Sequence, residues 1–469
     1  MPGYIEDRWW TKRPDPETGK KRKTDRYKQG KRWRVAGIPG VRDRSFTNLK
    51  GPGGAEEWMA KAQTDTVRGE FYDPRDGNVT LQWYVEEKWW PTLRQSPTTK
   101  QSMKPRVFNH ILPHIGHLPL NRIGHDEIKA WVTRAEQNID VSTLSVTWRH
   151  FSSIMQAAYK AKRIPANPFR DEDLKAPAVP PSKAKAWPEE TVAAMREALP
   201  PRYRILLALG VGAGLRQGEA LAFSPDDIDG EEIGVVRQIV RVNSRLGFAP
   251  PKGNKERTAP CPPELAAAVK EYANSFPTVE VTLPWVDPDR PNLAWEDRPK
   301  RTVRLLVTTP RTGGVAGGAV NRVTFDDKTW KPSLVRAGVI PKPETEWVQG
   351  EGKKPWARIA WNMPREDGFH VTRHTFASVV LQAGETITRL AAWLGHSDPA
   401  FTLRTYTHFM PKSGSMGIVA LGRFLSPGAG DAPAGEADEA PEISPGSDSP
   451  QILPSAGMDQ GSRGVPAGQ

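Results

Sequence analysis

At 469 residues the chain exceeds one compact core, and 66 Lys and Arg against 54 Asp and Glu leave a formal net charge of +12, which points to a polyanionic partner. A single cysteine, Cys261, rules out an internal disulfide framework and suggests a reducing compartment. The longest apolar run, Ile205 to Leu215, is far too short to span a bilayer, and Arg8, Trp9 and Trp10 stand where a signal peptide would be apolar, so a cytoplasmic protein of two or three domains with no membrane partner is expected.

The first fifty residues carry 15 Lys and Arg against 6 Asp and Glu, interleaved with Trp9, Trp10, Tyr27 and Trp33. Short alternating runs at 32–37 (RWRVAG) and 41–46 (VRDRSF), separated by Gly and Pro, predict a small antiparallel sheet, and Ala55 to Val67 a helix. A basic sheet with a packed helix can lay its strands in a DNA groove; the plainer alternative is a solvated basic tail with a minimal hairpin. From Asn78 to Phe169 the apolar spacing is helical throughout. Within it, Thr143 to Arg163 places Phe151, Ile154, Met155 and Ala158 on one face, gathers Lys160, Lys162 and Arg163 at its end, and stops before Pro165 and Pro168. His110, His114, His117 and His125 lack cysteines or carboxylates at ligand spacing and read as surface or core residues rather than a metal site. Residues 171–186, rich in Pro, Ala, Lys and Asp, describe a semi-extended linker, after which Trp187-Pro188-Glu189-Glu190 opens a helix.

In the segment GVGAGLRQGEALAF (210–223) an apolar helix meets a Gly-rich turn and a second short helix. Arg216 and Glu219 are three apart, so the carboxylate can hold the guanidinium, although alone such a pair is usually a surface ion pair. Strand-like residues 234–243, then 251–263 with KGNKER, predict a hairpin whose turn carries Lys252, Lys255 and Arg257; by default such a tip is a solvated turn. Phe276 to Arg301 and Pro341 to Asp367 read as irregular surface loops, with a helix from Thr324 to Ala337 between them. The stretch from His370 to Tyr406 is chemically the densest. His370, Arg373 and His374 share one helical face, Gly384 suits a helix end, and Ile387 to Leu394 stops at Gly395. His396 follows at that cap, and Tyr406 comes ten residues later. The last 59 residues hold 3 Lys and Arg against 7 Asp and Glu, and 425–469 is expected to be a disordered acidic tail.

GLRQGE, KGNKER, HVTRH, LGH and TYTH, in this order and spacing, resemble the tyrosine recombinases, most closely phage-type integrases. The resemblance implies a multidomain, mainly α fold with small β-sheets: a basic arm-type DNA-binding domain (1–70), a helical core-binding domain (76–170), the linker (171–186) and a mixed α+β catalytic domain (187–424). Carried over residue by residue, it implies that Arg216 and Arg373 clamp the scissile phosphate. Lys252 takes the hairpin lysine position with Lys255 as a substitute, and His370 and His396 match the family's two histidines. Tyr406 matches the nucleophile and Glu219 supports the first arginine. Thr372 departs from the family, which often has leucine before the second arginine. No metal or cofactor is implied. The implied partners are double-stranded DNA at core-type and arm-type sites, a tetramer of the chain on DNA, and an excision or host DNA-bending factor.

These residue types suit that chemistry. Attack on a phosphodiester builds charge on equatorial oxygens, which guanidinium forks fit. A tyrosine of pKa near ~10 must lose its proton, which an imidazole such as His370 can take, while Lys252 can protonate the leaving 5′ oxygen. A topoisomerase-like enzyme using the same chemistry, or a non-catalytic DNA-binding regulator, are the competing readings.

Overall fold

The alternation in the N-terminal runs produces a three-stranded antiparallel sheet. In the computed structural model, which describes residues 3–180, 184–310, 317–349 and 355–410, strands β1 (Tyr4–Asp7), β2 (Trp33–Ala36) and β3 (Arg44–Phe46) lie in that order. The strand pairs put Tyr4 opposite Ala36 and Trp33 opposite Phe46. Helix α1 (Ala55–Val67) covers one face, burying Ala55 and Ala62 against Val35, Ile38 and Phe46. The runs at 32–37 and 41–46 correspond to β2 and β3 and the predicted helix to α1, while β1, at Tyr4–Asp7, lies outside the predicted runs.

The all-helical domain comprises α2 (Leu81–Tyr84), α3 (Trp90–Thr92), α4 (Pro97–His110), α5 (Leu112–Ile115), α6 (His125–Glu136) and α7 (Val141–Lys160). Asp140 caps α7 by accepting from the Thr143 amide, and the 151/154/155/158 stripe is wholly buried in this domain's core. That core includes Trp131, whose indole donates to the His110 carbonyl at 2.8 Å, so the backbone of His110 is structural. Among the described residues no helix is long and apolar enough to cross a membrane.

The third domain is built on a helix that is apolar almost all round and therefore central. After α8 (Glu189–Ala198), α9 (Pro201–Ala213) buries Ile205, Leu206, Leu207, Leu209, Gly210 and Ala213, and α10 (Gln217–Leu221) follows. Strands β4 (Ile228–Asp229), β5 (Glu232–Val235), β6 (Gln238–Val242), β7 (Arg245–Ala249) and β8 (Arg257–Pro260) lead to α11 (Pro263–Ser275). The predicted hairpin pairs differently. Its partners are β6 and β7, joined tightly at Asn243 and Ser244, whereas 250–256 is a loop carrying the chain to β8, which pairs with β5.

Both segments expected to be irregular contain antiparallel hairpins: β9 (Val279–Pro284) with β10 (Lys300–Leu305), and β11 (Glu344–Val348) with β12 (Trp356–Ala360). Between them α12 (Arg322–Phe325) and α13 (Lys331–Arg336) are joined by a wider helical turn. Helices α14 (His370–Gln382), α15 (Ile387–Leu394) and α16 (Pro399–Tyr406) complete the described chain; the acidic tail lies outside the described residues. Helices α9 and α14 cross closely because Gly210 has no side chain. A Cβ there would sit 2.3 Å from the Thr372 hydroxyl, which itself donates to the Phe369 carbonyl at 2.9 Å. A threonine at 372 is thus matched to its neighbour.

The end of the linker is fastened beneath α14. Lys185 pairs with the buried Asp367 at 2.6 Å, the Trp187 indole donates to the same carboxylate at 3.1 Å, and the Trp187 amide donates to Thr375 at 2.9 Å. Trp187 also stacks on Trp330 with ring centroids 5.8 Å apart. Asp367→Ala strands the buried indole and frees Lys185, and is expected to cost about 2 kcal/mol. Chemical denaturation measures this loss, and limited proteolysis should cut faster within 171–186.

Candidate active site

Three arginines converge on the C-terminal end of α15, where unpaired carbonyls concentrate the helix's partial negative charge. The Leu394 carbonyl accepts from Arg216 Nη2 at 3.2 Å and from Arg373 Nη2, and the Trp393 carbonyl accepts from Arg257 Nε at 2.8 Å. Gly395 ends the helix in the left-handed region at φ 62°, and a Cβ there would lie 2.7 Å from Arg257 Cδ. Glycine is needed twice over, for the turn and for the space.

Arg216 is the N-cap of α10, and Glu219, three residues on, accepts from its amide at 2.9 Å and its Nη1 at 3.0 Å. Glu219 is only 2% exposed and is gripped from the other side by Arg257, with Nη1 2.8 Å from Oε1 and Nη2 2.6 Å from Oε2. Burial pushes this carboxyl up, but the Arg257 bonds and charge, with Arg216, outweigh it and bring the pKa down to about 2. Arg373, fully buried on α14, donates through Nη1 to the Gly214 carbonyl at 2.7 Å and contacts His396 Nε2 at 3.3 Å; among the described residues its Nε has no partner. Loss of hydration, then the charges of Arg216 and Arg257, lower its pKa to about 9, still a cation at neutrality.

His396 accepts from Arg373 on Nε2, so its Nδ1 carries the proton and donates to the buried Thr402 hydroxyl at 2.7 Å. Its ring lies parallel to that of Tyr406 at 6.5 Å. Tyr406, the last residue of α16, is 1% exposed, and its Oη is 2.9 Å from His374 Nδ1. Burial raises the phenol's pKa and the charges of Arg373 and Arg216 pull against it. His370 opens α14 at the surface with its ring edge-on to His374 at 4.7 Å. Reduced hydration, then the charges of His374, Arg373, Arg216 and Lys252, lower its pKa. Lys252 is exposed on the loop between β7 and β8, and Lys255 is exposed on the same loop.

The fold therefore gathers Arg216, Glu219, His370, Arg373, His396 and Tyr406 into one cluster, while Lys252 lies on an exposed loop and reaches it only through its charge on His370. Three further side chains join this cluster to which the sequence assigns no role: His374, on the face shared with His370 and Arg373, Arg257, which reads as part of a solvated turn, and Thr402, which carries no signal.

The cluster is acid-sensitive. Glu219 sits below its ordinary 4.5, so its stabilisation is complete above that value and fades as pH falls towards about 2. Burial, then neighbouring arginine charge, lowers His374 to about 4 and His396 to about 3. Both favour the neutral form in the fold, so their contribution, present above the ordinary value of 6.5, is lost as pH drops below it. Thermal melting followed from pH 7 to pH 4 should show a monotonic fall, shallower in a His396→Gln variant.

No protein-family model matches the chain. Tyrosine recombinase XerA of Thermococcus kodakarensis is 32% identical over 262 residues, which cover 55% of this chain and 70% of that protein. The chain belongs to the tyrosine recombinase family. A tyrosine recombinase XerC-like protein of Caldanaerobacter subterraneus subsp. tengcongensis is 26% identical over 296 residues, covering 58% of this family member. The match spans only 62% of that relative's own length, and the same share of XerA of Thermococcus onnurineus. Among solved structures, the Tn1549 transposon integrase in complex with transposon right end DNA shares the fold, with a TM-score of 0.55 at 15% identity. The superposition covers 74% of this tyrosine recombinase family member and 100% of that chain.

Proposed function

We propose that the chain is a site-specific DNA recombinase that cuts and rejoins DNA through a 3′-phosphotyrosyl intermediate, integrating phage or mobile-element DNA into a host chromosome. The observation that carries this reading is the convergence of Arg216 and Arg373 on one carbonyl, close enough for both charges to act on the Tyr406 phenol. In the proposed reaction the two guanidiniums replace the helix carbonyl with the non-bridging oxygens of the scissile phosphate and stabilise the extra charge of the pentacoordinate state. Tyr406 Oη attacks phosphorus, and the P–O5′ bond breaks. Lys252, on its exposed loop, protonates the departing oxygen, and His396 turns a ring N–H toward a phosphate oxygen. The phosphotyrosyl ester retains the bond energy, so a 5′ hydroxyl from a second strand reverses the step without ATP.

Exchange between two duplexes requires four cleavages, and so four copies of the chain around the junction. The helical and catalytic domains would close on the core site. The basic N-terminal sheet would hold an arm-type site, with an excision or host DNA-bending factor setting direction. The Tn1549 integrase, whose fold this chain shares, was solved on transposon DNA, which supports duplex DNA as the substrate.

The test is covalent capture from a randomised pool of nicked duplexes. The full chain should retain a subset of sequences after denaturation, and paired duplexes of that sequence should yield recombinant product. Capture with plasmid relaxation but no recombinants would favour a topoisomerase, and no capture would favour a non-catalytic regulator.

A further inference from the structure

We infer that His374, rather than His370, is the catalytic residue that takes the Tyr406 proton; the inference rests on the recombinase reading and assigns one more group within the same site. The phenol has a partner at hydrogen-bond distance, and it is His374 Nδ1, 2.9 Å from Oη with the two ring centroids 5.5 Å apart. His370 lies one helical turn earlier, exposed, and meets His374 edge-on rather than the phenol. Spacing along the helix makes the two histidines equivalent; packing does not, because α16 delivers Tyr406 to the half-buried second one.

The surroundings keep His374 an acceptor. Arg373 and His370 flank it on α14, Tyr406 faces it from α16, His408 from the turn after α16, and His396 from the turn after α15. Burial and the positive charge of Arg373 disfavour a protonated ring, so one ring nitrogen keeps a lone pair; the assignment places it on Nδ1, with the phenol as donor across the 2.9 Å contact. In the reaction the Oη–P bond forms, the phenolic proton passes to His374 Nδ1 to give an imidazolium, and the P–O5′ bond breaks with the 5′ oxygen taking a proton from Lys252. Rejoining runs the same transfers backwards, so charge balances at each stage.

Two measurements test this. In the DNA-free protein, nitrogen NMR of His374 should show Nδ1 unprotonated, with a shift on Tyr406→Phe; an Nδ1–H in the wild type would overturn the assignment whatever the protein does with DNA. On the captured duplex, His374→Ala should slow adduct formation by about 10²-fold or more at neutral pH, with the deficit narrowing as pH rises. Replacing Tyr406 by a more acidic fluorotyrosine should recover at least about tenfold in the His374→Ala background, since less proton acceptance is required. A bridging 5′-phosphorothiolate, whose leaving group needs no proton, should rescue Lys252→Ala and leave His374→Ala slow. Full activity of His374→Ala, or a slow variant indifferent to fluorination, would reduce His374 to a packing residue, whereas absence of a wild-type adduct would sink the recombinase reading instead.

Discussion

Arg373→Gln should lose covalent attachment to DNA by about 10³-fold or more while melting no lower than the wild type. The two halves of this expectation come from the same geometry. Arg373 is fully buried, beside two other guanidiniums, and its protonated form is disfavoured enough to lower its pKa. Its hydrogen bonds to the Gly214 and Leu394 carbonyls offset that cost, and a glutamine amide can supply one of them without the charge. Free of DNA, the site holds positive charge that Glu219 offsets in part and a bound phosphate would offset further. A side chain kept at the expense of stability is expected where the chemistry needs it. Differential scanning calorimetry alongside single-turnover capture separates the two effects, and a variant that lost activity only by unfolding would contradict this account.

Arg257→Met should behave in the opposite way, with a loss of about 3–5 kcal/mol from leaving a buried carboxylate half paired. Glu219 accepts two short bonds from Arg257, and no water can replace them at 2% exposure. Released from Arg257, the carboxylate's full charge falls on Arg216, drawing that guanidinium away from an incoming phosphate, so activity should fall too. The discriminating measurement is a double-mutant cycle. Glu219→Gln in the Arg257→Met background removes the stranded charge and should recover part of the stability, giving a coupling energy of at least about 1 kcal/mol. Additive losses would mean that the two residues act independently.

The contrast between these arginines shows how far the sequence could be read. Local signals were reliable: Ala55–Val67 and Ile387–Leu394 are helices with the expected bounds, and Gly395 caps the second in the left-handed region. Non-local pairing was not. Gly253 and Asn254 do adopt positive φ, as their residue types suggest, yet the tight hairpin turns at Asn243 and Ser244, and a serine at φ 69° has no sequence signature. With the pairing misplaced, Arg257 was left on a solvated tip instead of β8, where the pairing with β5 and the end of α15 bury it. The hairpins at 279–305 and 344–360 were hidden for the same reason, since a strand's partner lies outside its own window. His374 illustrates a different limit. Helical spacing identified the face that carries the chemistry, but the choice between two imidazoles on that face was made by where α16 sets Tyr406 down.

The most direct test digests the captured protein–DNA adduct and identifies the modified peptide. One nucleotide should be joined through its 3′-phosphate to Tyr406, the other fragment should carry a free 5′ hydroxyl, and Tyr406→Phe should form no adduct. Attachment at another residue, linkage through a 5′-phosphate, or an adduct that survives Tyr406→Phe would contradict it.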